Sequence, residues 1–149
     1  MSGHRLAQIN VARLLAPLDA PETADFVAAL GPVNARADMA PGFVWRLQTE
    51  AGDATAVKAT DDPLVIVNLT VWESIDALEA FAYREAAHLS VLRRRREWFE
   101  RNSEAATALW WVPAGELPTL ADALHRLSVL RELGPSPWAF TFGERFAAP

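Results

Sequence analysis

Two hydrophobic periodicities alternate along the chain, and their order predicts the fold. Segments with the alternating or β-branched pattern of strands occupy residues 5–12, 42–48, 64–72 and 107–113. Segments with the helical spacing of apolar residues occupy residues 19–42, 74–102 and 117–134. The order strand, helix, strand, strand, helix, strand predicts an α+β domain of the ferredoxin-like split βαβ type, with an appended C-terminal helix and arm. We expect one domain over residues 1–149.

Local signals indicate where the helices begin, bend and end. Pro21 suits the first turn of the first helix, whereas the Gly-Pro pair at 31–32 is expected to kink or divide it. Ser74 is the expected N-cap of the second helical region, with a break near Tyr83. Gly134 is the expected C-cap of the last helix.

The third predicted strand has two unlike faces. One face is aliphatic and suited to packing on helices: Val65, Val67, Leu69 and Val71. The other face is mixed and is expected to line a cavity: Ile66, Asn68, Thr70 and Trp72. The same alternation sends Gln8 and Asn10 of the first strand to the cavity.

Amides among aromatic side chains are the usual lining of a small-molecule pocket. We therefore predict that Gln8, Asn68 and Trp72 contact a hydrophobic ligand. The alternative is that the amides bond one another across a dimer interface and bind nothing.

One histidine lies in the apolar stripe of the second helical region. On a straight helix a narrow sector holds Phe81, His88, Leu92, Arg95 and Phe99. This spacing predicts that His88 and Arg95 face inward or into a cleft, beside Phe81. A neutral imidazole can act as a base, a proton shuttle or a metal ligand. The alternative is a core histidine bonded to a backbone carbonyl.

Two helices on one face of the sheet leave its other face uncovered. If Trp72 and Ile66 were exposed there, they would form a large apolar patch on a monomer. We therefore predict a homodimer in which a second copy of the chain covers this face.

Composition narrows the classes of function. A net charge of -5 disfavours a nucleic-acid backbone binder, and the run Arg93 to Arg96 is expected to pair with Glu97 and Glu100. The absence of cysteine excludes thiolate chemistry, and the histidine spacing predicts no metal site. With no apolar span of about 20 residues, neither export nor membrane insertion is indicated, and we expect a cytoplasmic protein.

Several segments resemble a known family, namely GFVWRLQ, LTVWES, ALWWVPAGE and GPSPWAFTF. Over nearly its full length the chain resembles the domain of unknown function 3291 family. That family is similar to the dimeric α/β-barrel superfamily of antibiotic-biosynthesis monooxygenases, in which two ferredoxin-like sheets pack around an interior cavity. The resemblance implies a dimeric barrel and carries no established activity.

The middle of the chain also resembles the heme-degrading monooxygenases of that superfamily, through the order strand, Trp-x-Ser, helix, Ala-His. The resemblance implies catalytic roles for Asn10, which matches their first-strand Asn, and for His88, which matches their proximal heme ligand. Their helix Trp falls on Phe81, so it is absent here, and the interval to His88 is about one turn shorter.

Together these observations favour a homodimeric barrel that binds an aromatic or hydrophobic small molecule and acts as a cofactor-free or heme-assisted monooxygenase. In this hypothesis His88 is a base or axial ligand, Asn10 and Asn68 hold oxygen or a substrate carbonyl, and Arg95 pairs with an acidic group. The alternative is a non-catalytic binding or dimerisation module with a filled barrel core.

Overall fold

The computed structural model describes residues 3–49, 52–55 and 57–149, which form the predicted elements in the predicted order. The strands are β1 (His4–Arg13), β2 (Phe43–Arg46), β3 (Val65–Trp72) and β4 (Thr107–Pro113). The helices are α1 (Ala24–Met39), α2 (Ile75–Arg84), α3 (Ala86–Arg93), α4 (Arg95–Trp98) and α5 (Leu120–Leu133). None of the helices so described is long and apolar enough to cross a membrane.

The four strands form one antiparallel sheet in the order β2-β3-β1-β4. Gln8 of β1 lies opposite Thr70 of β3, and Asn10 lies opposite Asn68. Residues opposite each other in an antiparallel ladder share a face of the sheet. The register therefore brings the polar residues of both central strands to one side and confirms the ferredoxin-like α+β fold.

The predicted caps are confirmed. The Ser74 hydroxyl oxygen accepts a hydrogen bond of 3.1 Å from the backbone N–H of Ala77, at the start of α2. Gly134 ends α5 with a φ of 78°, a conformation that favours glycine.

Of the kink or division expected at the Gly-Pro pair, the division is wrong, because α1 continues through Pro32. A proline at this position removes only the hydrogen bond to the carbonyl of Ala28. Both Pro32 and Ala28 are exposed, so water can bond that carbonyl.

The break predicted near Tyr83 occurs two residues later, at Glu85, whose backbone is extended between α2 and α3. A second interruption at Arg94 separates α3 from α4. Arg93 and Glu97 therefore lie on different helices and Glu100 lies beyond the end of α4, so the predicted i, i+4 ion pairs of the arginine run are not formed among these residues.

Arg94 makes the observed ion pairs of the arginine run. Arg94 contacts Asp25 at 2.9 Å and Glu97 at 2.8 Å. Glu100 pairs instead with Arg13 at the end of β1.

Each face of the sheet is covered by helices of the same chain. On the mixed face, Trp72 packs with Ala37 of α1 and with Leu78 and Phe81 of α2. On the aliphatic face, the sheet packs on α5 through Ala123, Leu127 and Leu130. The aliphatic face does pack on a helix, as predicted, but it is the appended helix rather than the two helices of the split βαβ unit.

This packing removes one of the two reasons for expecting self-association, namely an uncovered apolar face of the sheet. Trp72 is 1% exposed within one chain, and Ile66 is half-buried beside Leu14, Phe26 and Trp98. The patch that a second copy was expected to cover is therefore already covered by α1–α4.

The homodimer stays a prediction that a solution mass can check. It requires a sedimentation or scattering mass of twice 16.4 kDa at micromolar concentration. A mass of one chain would contradict it and would agree with the burial of both sheet faces within one protomer.

Candidate small-molecule cavity

A cavity of about 540 Å³ lies between the mixed face of the sheet and helices α1–α4. All seven residues selected from the sequence line it: Gln8, Asn10, Asn68, Trp72, Phe81, His88 and Arg95. Further apolar lining comes from α1 and α3, in particular from Ala29, Val33 and Leu92. All of these lining residues belong to one chain.

The mixed face of the sheet is the floor of the cavity, and a chain of hydrogen bonds orients its polar side chains. The indole Nε1–H of Trp72 donates to the Thr70 hydroxyl at 2.9 Å, and that hydroxyl donates to Gln8 Oε1 at 2.7 Å. Both strands thus share one ordered network, and Thr70 orients the Gln8 amide. Since its oxygen is already bonded, Gln8 offers its NH₂ group as the donor toward a ligand.

The two asparagines of the floor are in register but have different partners. Asn10 Nδ2 donates to the hydroxyl of Thr107 on β4 at 2.6 Å, which leaves Asn10 Oδ1 as an acceptor. Asn68 is exposed on the same face. The bonds of Gln8 and Asn10 are made within one chain, so the alternative of amides paired across a dimer interface is not needed to satisfy them.

His88 lies on α3 with its ring less than half exposed. Its Nδ1 is 2.7 Å from the backbone oxygen of Ala82, and its ring centroid is 5.2 Å from that of Phe81. A carbonyl oxygen only accepts, so Nδ1 carries the proton and Nε2 is the acceptor of the neutral ring. The core-histidine alternative and the functional hypothesis therefore describe the same side chain, bonded to a carbonyl and lining a cavity.

The break between α2 and α3 makes this arrangement available. Ala82 lies in the last turn of α2, where backbone carbonyls lack intrahelical partners. Glu85 then caps α3 by accepting from the Ala87 N–H at 3.3 Å. The ring of His88 thus satisfies a carbonyl that the end of the helix leaves free.

Burial lowers the pKa of His88 below its usual value of 6.5. The hydrogen bond to Ala82 and the negative charge of Glu85 favour the protonated ring, but desolvation has the larger effect. At neutral pH the imidazole is therefore neutral, with the Nε2 lone pair available.

Two arginines lie at the rim of the cavity without a carboxylate partner in the residues that the structure describes. Arg95 donates only to the backbone oxygen of Leu92, at 2.7 Å, and Arg96 makes no ion pair there. Arg46 also lines the cavity, but its guanidinium is held by Asp38 at 2.8 Å. The rim therefore offers positive charge to a ligand.

The heme implied by the second resemblance fits some of these residues. His88 would hold the iron through Nε2, because its Nδ1 is bonded to a carbonyl. Arg95 and Arg96 would be the partners of the propionates. Such a group would supply iron for binding oxygen. In the described residues no group of three or more His, Asp or Glu side chains is arranged for a bare metal ion.

Sequence reasoning missed the partner that orients Asn10, and it does not decide where the tryptophans of the fourth strand point. Thr107 could not be selected, because its position opposite Asn10 depends on the register between β1 and β4. Of the adjacent tryptophans, Trp110 is buried on the aliphatic face and Trp111 donates to the Phe146 carbonyl at 2.8 Å. Neither lines the cavity.

The sheet order and the helices over one face define an α+β protein with a ferredoxin-like fold, and solved structures share it. One is a Nitrosomonas europaea protein assigned provisionally to the antibiotic biosynthesis monooxygenases, with 17% identity, coverage of 77% of this chain and 94% of that chain, and a TM-score of 0.51. Another is PA3566 from Pseudomonas aeruginosa, with 15% identity, coverage of 78% and 98%, and a TM-score of 0.50. At these identities the likeness shows the fold alone.

Comparison of the sequence with a family model identifies the family to which the chain belongs. The model of the family described as Domain of unknown function (DUF3291) matches residues 5–149, so the chain belongs to that family, as the resemblance indicated. No curated protein sequence matches the chain.

The lowered pKa of His88 predicts a pH dependence of stability. Because the folded state disfavours protonation, the free energy of unfolding is expected to be level above pH 6.5 and to fall as pH drops toward the folded-state pKa. The slope contributed by one proton is at most about 1.4 kcal/mol per pH unit. Urea unfolding at neutral and mildly acidic pH measures it.

Two variants separate this effect from the titration of carboxylates. His88→Gln is expected to weaken the pH dependence, whereas His125→Gln, on the exposed face of α5, is the matched control and retains it. An equal pH dependence in the wild type and His88→Gln would contradict the buried neutral imidazole.

Proposed function

We propose that the chain binds an aromatic or otherwise hydrophobic small molecule in the cavity between the sheet and α1–α4. The observation that carries the proposal is a neutral His88 in a cavity of about 540 Å³ lined by aromatic rings and amides. Ligand pockets commonly measure roughly 300–1,000 Å³ and combine an apolar body with a few polar groups. This volume disfavours the alternative of a completely filled core.

The lining suggests how such a ligand is oriented. Trp72 and Phe81, whose ring centroids are 5.5 Å apart, supply an apolar wall beside His88. The Gln8 NH₂ group and Asn10 Oδ1 supply a donor and an acceptor on the floor. A planar ligand with one hydroxyl or carbonyl group can pack on the apolar wall and hydrogen-bond to the polar floor.

The charges around the cavity favour an acidic substituent near its rim. Glu100 lines the cavity but is paired with Arg13, and Asp53 accepts from the N–H of Thr55 at 2.9 Å. The carboxylates are thus already bonded, whereas Arg95 at the rim has no carboxylate partner in the described chain. A ligand carboxylate would pair with this guanidinium.

A second candidate, monooxygenase-like chemistry without a cofactor, is favoured by the protonation state of His88. Nε2 of the neutral ring can remove a proton from an acidic C–H or a phenolic hydroxyl. Dioxygen can attack the resulting electron-rich anion. In such a reaction a ring CH₂ becomes C=O with one oxygen atom, and the other oxygen leaves as water with both hydrogens.

The non-catalytic alternative also has an observation in its favour. Gln8 Oε1 and Asn10 Nδ2 are already bonded to threonine hydroxyls, so part of the polar floor is satisfied without a ligand. Among the residues that the structure describes, no second acid or base lies on the floor beside these amides. Binding and catalysis must therefore be tested separately.

Binding is tested with naphthol as the probe. Calorimetric titration is expected to show saturable, equimolar binding to the wild type. Ala29→Trp places an indole in the cavity and is expected to abolish binding. Ala28→Trp, on the exposed side of the same helix, is the matched control and should bind like the wild type. Equal binding by both variants would place naphthol elsewhere and contradict the proposal.

Catalysis is tested with anthrone, whose acidic CH₂ group can be converted to the carbonyl of anthraquinone. An oxygen electrode is expected to record uptake above the protein-free rate, reduced in His88→Gln to about the protein-free rate and unchanged in His125→Gln. If the wild type binds naphthol but consumes no oxygen with anthrone or its hydroxylated derivatives, the monooxygenase hypothesis is rejected and the non-catalytic binding module is retained.

A further inference from the structure

The C-terminal strap (residues 140–146) crosses one end of the cavity, and its first residue is firmly anchored. Phe140 is fully buried and forms an isolated bridge with Leu109 of β4. Two backbone hydrogen bonds of 2.8 and 2.9 Å join the two residues. The strap therefore leaves the sheet from a fixed point.

The far end of the strap is bonded both to β4 again and to α2. The backbone oxygen of Phe146 accepts from Trp111 Nε1 at 2.8 Å. The guanidinium of Arg145 pairs with Glu79 of α2, and it lies 5.8 Å from the ring centroid of Phe142. The strap is thus held against both β4 and α2.

Between these anchors the strap turns one aromatic ring into the cavity lining. Phe142 lines the cavity, and its ring meets that of Tyr83 edge to face, with centroids 5.5 Å apart and planes at 79°. Tyr83, in α2, lines the cavity as well and is 50% exposed. The two rings form a wall where the cavity would otherwise open beside α2.

We propose that Phe142 is a specificity-determining residue that limits the length of the ligand at the α2 end of the cavity. The inference rests on the proposed function, since it assumes that a small molecule occupies the cavity. Phe142 is separate from the polar floor, and its ring is held by one neighbour in α2 and one in the strap. A smaller side chain there would extend the cavity without altering Gln8 or His88.

Arg145 is inferred to be a positioning residue for this wall. Its ion pair with Glu79 is partly exposed, with 35% and 30% of the two side chains accessible, so it is a weak fastening. Because Arg145 also lies over the Phe142 ring, its loss would let that ring leave the wall more often.

The experiment compares a short and a long planar probe by calorimetric titration, with naphthol as the short one and hydroxypyrene as the long one. The wild type is expected to bind naphthol and to discriminate against hydroxypyrene. Phe142→Ala is expected to retain naphthol binding and to bind hydroxypyrene about tenfold more tightly, as for a pocket enlarged by at least one methylene. Trp138→Ala removes an exposed ring just before the strap and should change neither affinity.

Further variants keep the test informative if Phe142→Ala folds poorly. Phe142→Leu retains an apolar side chain and should show a smaller gain in hydroxypyrene affinity. Arg145→Ala should shift hydroxypyrene affinity in the same direction, whereas Arg145→Lys, which keeps a cation for both Glu79 and the Phe142 ring, should retain most of the discrimination. Thermal unfolding checks that each variant is folded.

The outcomes separate this inference from the proposed function. If the wild type binds neither probe, the proposed function fails. If the wild type binds naphthol but folded Phe142→Ala and Phe142→Leu bind hydroxypyrene no better than the wild type, the wall is contradicted while the cavity still binds ligands.

Discussion

The pairing of β1 with β3 is the constraint on which the rest of the structure depends. With Gln8 opposite Thr70 and Asn10 opposite Asn68, the polar residues of both strands meet on one face and the aliphatic residues meet on the other. A shift by one residue would exchange the faces, because side chains alternate along a strand. The hydrogen bonds from Trp72 through Thr70 to Gln8 hold this register from the cavity side.

The second consequence of this register is that one chain can cover both faces. The aliphatic face packs on α5, and the mixed face retains a cavity beneath α1–α4 because its amides and threonines cannot form a close-packed apolar core. A ferredoxin-like sheet with only two helices would have left one face open. The appended helix covers the aliphatic face, whereas the candidate site lies on the other face beneath α1–α4.

The chemistry of the cavity depends on helix ends more than on continuous helices. Ending α2 before Glu85 leaves the Ala82 carbonyl free, and that carbonyl sets the tautomer of His88. Burial then keeps the imidazole neutral, which is the protonation state that a base requires. Arg94, at the second interruption, is salt-bridged to Asp25 and Glu97, whereas Arg95 and Arg96 of α4 lie at the rim of the cavity.

The sequence by itself determined which residues share a face. Strand alternation grouped Gln8, Asn68 and Trp72, and the seven-residue interval grouped Phe81 with His88 even though the helix is broken between them. Such periodicity is a property of the local backbone, so it survives without knowledge of distant contacts.

Only the tertiary structure decided which helices cover each face, which threonine bonds Asn10, and that Phe142 of the strap reaches the cavity. These depend on contacts between segments far apart in the chain. Several arrangements satisfy the same hydrophobic pattern, and packing selects one of them.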